Sequence, residues 1–147
     1  MTNTPRRDIR VSLYDGAYGR TLRIDLQSLA HTKLLRAMFQ SLHDGVRDSL
    51  KLLPDELWAF DGLSQLVLTT IPRGVAGARE VRSEGQGTSF VDWRMSLDGW
   101  GHCLDLLGPF LADRAPGHQY PTEERKGYLI VELAFLEPRP VRAEERD

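Results

Sequence analysis

Cysteine is nearly absent: Cys103 is the one thiol in 147 residues. That excludes an internal disulfide and any metal cluster built from several cysteines of one chain. Lysine is scarce too, with only Lys33, Lys51 and Lys126, so arginine carries most of the positive charge. The net charge of −2 and pI near 6.1 leave no basic excess. General binding to a phosphate backbone is therefore not expected, and no nucleic-acid partner is assigned. No apolar run approaches the roughly 20 residues of a membrane-spanning helix. Met1–Arg10 lacks the basic-then-apolar pattern of a leader. The expectation is a cytoplasmic protein with no membrane partner.

Catalytic signatures are also missing. No Gly-x-Ser-x-Gly elbow occurs, and Gly85-Gln86-Gly87 lacks the Gly-Lys-Ser/Thr that completes a phosphate loop. His102, Cys103 and His118 do not form a convincing ligand set, because neighbouring helix positions point about 100° apart. Neither a metal nor a cofactor is expected, and no catalytic residue is assigned. The residues display no internal repeat, heptad array or low-complexity tract.

What is present reads as one α+β domain. An apolar fraction of 41% and a charged fraction of 27% are those of an ordinary soluble protein. Ile9, Val11 and Leu13 alternate with Arg10 and Ser12, and Leu22 and Ile24 alternate with Arg23 and Asp25. Two such runs across Asp15-Gly16 and Gly19 predict an antiparallel hairpin. Leu34, Leu35, Met38, Phe39 and Leu42 recur at steps of three and four, predicting a helix over 26–42 with Asp25 as its cap. Leu50–Leu53 reads as a short strand or a helical turn, and Pro54–Trp58 as a single helical turn. Leu63–Ile71 predicts a strand.

Four glycines interrupt 73–87, which is either a loop or a hairpin arm at 78–83 turning at 84–87. Val91, Trp93 and Met95 share one face of the next strand, and Leu97, Trp100, Leu104, Leu107 and Leu111 form a helical seam. Gly108-Pro109 should kink or interrupt that helix. Tyr128–Leu136 is the most apolar strand, broken only by Glu132, and is expected to be central. The reading is a disordered 1–7, a single α+β domain over 8–137 and a charged flexible tail over 138–147. About five to six strands form one mostly antiparallel sheet, with two main helices on one face.

Ser96-Leu97-Asp98-Gly99-Trp100, followed by Pro116-Gly117-His118-Gln119-Tyr120 and an apolar strand, resembles a pattern in small bacterial α+β proteins of uncharacterised function. The resemblance covers about a third of the chain and carries no catalytic residue with it. Some proteins of that look are immunity partners of bacterial toxins, so it implies a protein-binding role.

Two groups of residues follow as candidates. His118, Gln119, Tyr120 and Asp92 are the candidate ligand-binding set, because an imidazole in a connection before a central strand can hold a substrate or a proton. Arg73, Arg79, Arg82, Glu123 and Glu124 are the candidate partner-binding set, on two segments that extend from sheet ends. Arginine's planar fork suits carboxylates of a protein partner; a G+C-rich coding bias would give the same enrichment. The expected function is a non-enzymatic protein-binding module of the immunity or inhibitor kind. The alternatives are a small-molecule binder or enzyme at His118, and a homodimer formed through Trp58 or a sheet edge.

Overall fold

A computed structural model describes residues 8–73, 76–82, 89–122 and 125–137. The first hairpin is as expected: β1 (Ile9–Gly16) and β2 (Gly19–Leu26) pair antiparallel, with Gly16 opposite Gly19 across a two-residue turn. Helix α1 spans Leu29–His43. Its cap is Ser28, whose hydroxyl accepts the His31 N–H at 3.1 Å. Asp25 is not the cap, because β2 continues through Leu26 and holds Asp25 in the ladder.

Four strands follow: β3 (Ser49–Leu52), β4 (Trp58–Asp61), β5 (Gln65–Thr70) and β6 (Gly77–Arg82). The expected helical turn at 54–58 is a side-chain-capped turn instead. One Asp55 carboxylate oxygen accepts both the Leu57 and Trp58 N–H groups, at 2.7 and 2.8 Å. Strand β7 (Ser89–Met95) leads into helix α2 (Leu97–Asp113), capped by Ser96. Gly117–Gln119, read from the sequence as a turn, is a short strand, β8, antiparallel to β9 (Ile130–Phe135). The segments 1–7, 84–87 and 138–147 lie outside the described residues, so the readings made for them have no structural counterpart here.

The α+β class holds, and the strands divide over two sheets rather than one. The five-stranded sheet runs β4-β1-β2-β9-β8 and the four-stranded sheet β3-β5-β7-β6. Four of the seven strand pairings are antiparallel. The chain passes twice through one plan of hairpin, helix, hairpin: β1-β2-α1-β3-β5, then β6-β7-α2-β8-β9, with β4 added at an edge. Each sheet joins the leading hairpin of one half to the trailing hairpin of the other, through the parallel pairs β2–β9 and β5–β7.

This repetition is invisible as residue identity, yet the helices preserve its spacing. Thr32, Leu35, Phe39 and Leu42 are buried at steps of four, three, four and three from the Ser28 cap. Trp100, Cys103, Leu107 and Phe110 follow the same steps from Ser96. The buried seam of α2 thus includes Cys103 and Phe110, while Leu97 is 47% exposed. Pro109 sits inside α2 without ending it. Pro109 and Asp105, whose carbonyl loses its donor, are both exposed, where water can replace the missing bond.

The core is one cluster shared by the inner faces of both sheets and both helices. Its centre is aromatic. Phe39 of α1 meets Trp93 of β7 edge-on and stacks on Trp100 of α2, each at 5.7 Å, and the two tryptophans lie 5.0 Å apart. Phe110 stacks on Phe135 at 5.2 Å, seating α2 on β9. The helices approach closely because Gly101 has no Cβ; one built there would fall 2.8 Å from the His43 ring. That ring's Nδ1 lies 2.8 Å from the Leu97 carbonyl oxygen across the helix pair. Trp58 is 6% exposed and packed in the core, so it is unavailable as a dimer contact. His31 is buried, and its Nδ1 accepts the Gln27 N–H at 3.1 Å, a structural role.

Polar ties also join the sheets. Leu129 N–H donates to the Ala78 carbonyl at 2.9 Å. Arg20 of β2 forks onto Glu80 of β6 at 3.1 and 3.2 Å, and the Ser89 hydroxyl donates to the same carboxylate at 2.7 Å. Glu80 is mostly buried, and the Arg20 hydrogen bonds hold its pKa below the usual carboxylate value.

Trp100→Ala should cost about 3–5 kcal/mol in urea unfolding, whereas Leu97→Ala should stay within about 0.5 kcal/mol. A Leu97→Ala cost approaching that of Trp100→Ala would mean that Leu97 too faces the core, as the sequence seam has it. Glu80→Gln should cost about 1–3 kcal/mol at pH 7. Because the folded pKa is depressed, that contribution is fully present above the unfolded carboxylate pKa. It fades as pH falls through the folded value, so unfolding curves of the two proteins should converge in acid.

Candidate functional site

Two polar features stand outside the core, and the β8–β9 connection separates them. The first lies on the outer face of the five-stranded sheet. Strand alternation sends Leu22, Ile24, Val131 and Leu133 inward, so Arg23, Asp25 and Glu132 share the opposite face. The parallel register sets Arg23 directly beside Glu132 and Asp25 beside Ala134. Arg23 Nε bonds Asp25 at 2.8 Å and its Nη1 lies 3.8 Å from Glu132. All three residues are buried, as is Tyr14. Burial raises the Glu132 pKa despite the pull of Arg23. Burial, aided by the Glu132 charge, pushes the Tyr14 hydroxyl up to about 12.

His118 of β8 stands opposite Ala134 at the edge of this face. Its Nδ1 lies 2.7 Å from a Glu137 carboxylate oxygen. The imidazole is about half exposed and meets the Tyr120 ring edge-on at 5.2 Å. Burial first, then the Glu132 and Glu137 charges, raise the Tyr120 pKa. Gln119 pairs with Leu133 on the alternate face of β8. Asp92 is not brought to His118: it lies on β7 in the four-stranded sheet, 2.8 Å from Arg94.

The second feature is an open cleft of about 280 Å³, lined by Ala76, Gly77, Met95, His102, Tyr120, Pro121, Thr122, Arg125 and Tyr128. Ala76 and Gly77 of the β6 arm, Met95 and His102 of β7 and α2, and residues 120–122 with Arg125 and Tyr128 form its walls. Of these, only Arg125, Tyr128, Met95 and His102 lie outside the segments 73–87 and 116–124 favoured from the sequence. Tyr120 borders both the cleft and His118, but His118 is not part of the cleft wall.

Tyr128 organises the cleft rim. The Arg79 guanidinium lies 4.4 Å from its ring centre and donates to its hydroxyl at 2.6 Å. The Arg125 guanidinium lies 5.5 Å from the same ring. Among the described residues, neither arginine has a carboxylate in ion-pair range. Gly77 makes this packing possible. It holds φ 143 and lies under Tyr128, where an added Cβ would meet the ring at 2.6 Å.

Of the other candidates, Arg73 is exposed next to the cleft segment, and Arg82 is exposed with Glu80 at 3.6 Å. Glu123 and Glu124 lie outside the described residues. Sequence reasoning missed Tyr128 and Arg125, although their i, i+3 spacing beside Gly127 was visible. It also passed over Glu132 as a defect in an apolar strand, when a lone charge in such a strand signals a buried polar site. Glu137 carried no signal, since it reaches His118 only through the backbone path after β9.

Cys103 is buried, and desolvation pushes its thiol pKa up to about 12, so it is inert as a nucleophile. No family model, curated protein or solved structure matches the chain.

Gly77→Ala should destabilise the protein by about 1–3 kcal/mol, as judged by thermal unfolding, through the strained φ and the Tyr128 clash. Alanine tolerated within about 0.5 kcal/mol, with unshifted Tyr128 ring resonances, would remove Gly77 from this role.

Proposed function

We propose that the protein is a non-enzymatic protein-binding module that receives an acidic side chain of its partner in the cleft between β6 and the 120–128 connection. The observation that carries this reading is the convergence of Arg79 and Arg125 on Tyr128. Two guanidiniums beside one ring can together offer a carboxylate the paired N–H donors through which arginine engages it. Aromatic backing lowers the rotamer entropy lost on binding, so the site is organised before its partner arrives.

The cleft of about 280 Å³ is at the small end of ligand-sized sites, ~300–1,000 Å³, and has room for a side chain. It is lined by Tyr120, Met95 and Pro121, which give an acidic chain apolar surface beside its charge. Immunity and inhibitor proteins act by occupying a partner's surface in this way, and a toxin is one partner that would fit. The reading needs no nucleic acid, membrane or cofactor.

Fluorescence polarisation with labelled Glu/Asp-rich and Lys-rich peptides of equal length tests the reading. The acidic peptide should bind, the basic one should not, and added salt should weaken the complex. Replacing Arg79 and Arg125 together by alanine should reduce affinity at least tenfold, about 1.4 kcal/mol or more. Equal binding of both peptides, or a double variant that binds like the parent, rejects the proposal.

A further inference from the structure

His118, Glu132 and Glu137 come from three points of the chain, and their ligating atoms all lie within 4.8 Å of one another. The cleft and its arginines play no part in this arrangement. Sheet register assembles it. His118 faces Ala134 across the β8–β9 ladder, so Glu132, two residues back on β9, projects from the same face. Glu137 arrives from beyond the strand end. Leu136 adopts φ 53, a left-handed conformation rare for leucine, and its N–H is tied to the Leu26 carbonyl at 2.9 Å. The following carboxylate then meets the imidazole at 2.7 Å.

We propose that this corner binds one divalent ion of the zinc or manganese class, with His118, Glu132 and Glu137 as its protein ligands. One imidazole nitrogen with two carboxylate oxygens suits such ions, whereas calcium and magnesium prefer oxygen-only shells. Bonds of about 2.0–2.2 Å place tetrahedral donors roughly 3.3–3.6 Å apart. Seating the ion opens the 2.7 Å His118–Glu137 contact and draws in the remaining donors, none of which is more than 4.8 Å from another.

Two carboxylates converging on one imidazole repel each other, and a dication removes that repulsion. Arg23 stays outside the donor set. Its Nε bonds Asp25 at 2.8 Å and its Nη1 stands 3.8 Å from Glu132. The half-exposed imidazole leaves one side of the ion open to water or to a fourth donor.

Tag-free protein, stripped with chelator and dialysed, is titrated calorimetrically with Zn²⁺, Mn²⁺ and Mg²⁺ in turn. One Zn²⁺ or Mn²⁺ per chain should bind, at least tenfold more tightly than Mg²⁺, and should raise the melting temperature. Glu137→Gln and His118→Ala should each weaken binding at least tenfold with far-UV dichroism unchanged. Should those variants fail to fold, imidazole ¹H–¹⁵N spectra of the parent protein decide. Zn²⁺ should shift His118 and leave His31, His43 and His102 in place. The proposal fails if no ion binds at about 100 µM, if both variants bind like the parent, or if the shifts fall on the other three histidines.

Discussion

The parallel ladder between β2 and β9 is the constraint on which the rest of the structure depends. It pairs Thr21–Leu26 with Ile130–Phe135, joining the first and last parts of the described chain. No hairpin could form it, because parallel neighbours need a long crossover. Here the crossover is almost the whole molecule. With this ladder in place, Leu22, Ile24, Val131 and Leu133 form one apolar wall, and Arg23 and Glu132 become neighbours on the other side. The counterpart ladder between β5 and β7 closes the second sheet and sets Trp93 beneath Phe39 and Trp100.

Exchanging trailing hairpins between the halves interlocks them. Neither half completes a sheet alone: β1-β2 needs β9 for its open edge, and β6-β7 needs β5. The core is accordingly one cluster, and unfolding should be cooperative for a chain of this size. The many long-range pairings also predict slower folding than in a helical protein of equal length, because loop closure precedes any gain from non-local contacts.

The same architecture distributes charge unequally. Arg23, Asp25 and Glu132 are withdrawn from water, where burying an ion pair costs as much as its attraction returns. Asp92 and Arg94 form a similar pair two residues apart on β7, yet Arg94 remains more than half exposed. A buried network on one sheet and a solvated pair on the other mark the five-stranded sheet's outer face as the chemically unusual one. The cleft arginines differ again, resting on an aromatic ring with open edges. The polar corner suits a small cation and the cleft an acidic side chain, so the two proposals concern different surfaces.

Local chemistry made much of the architecture legible in the sequence. Alternation identified the β1–β2 hairpin and the core faces of β7 and β9, and three-and-four spacing identified both helices, because burial of one face imposes those periods. His118, Tyr120 and Arg79 were singled out from residue type and position alone, whereas Arg125 and Tyr128 were not. Tertiary structure decided everything that depends on which strand lies beside which. It split the strands of the described residues into two sheets, drew Asp92 away from His118, carried Trp58 into the core and brought Glu137 back to the imidazole. Sequence periodicity records which face of an element is buried, but it carries no record of the partner that buries it.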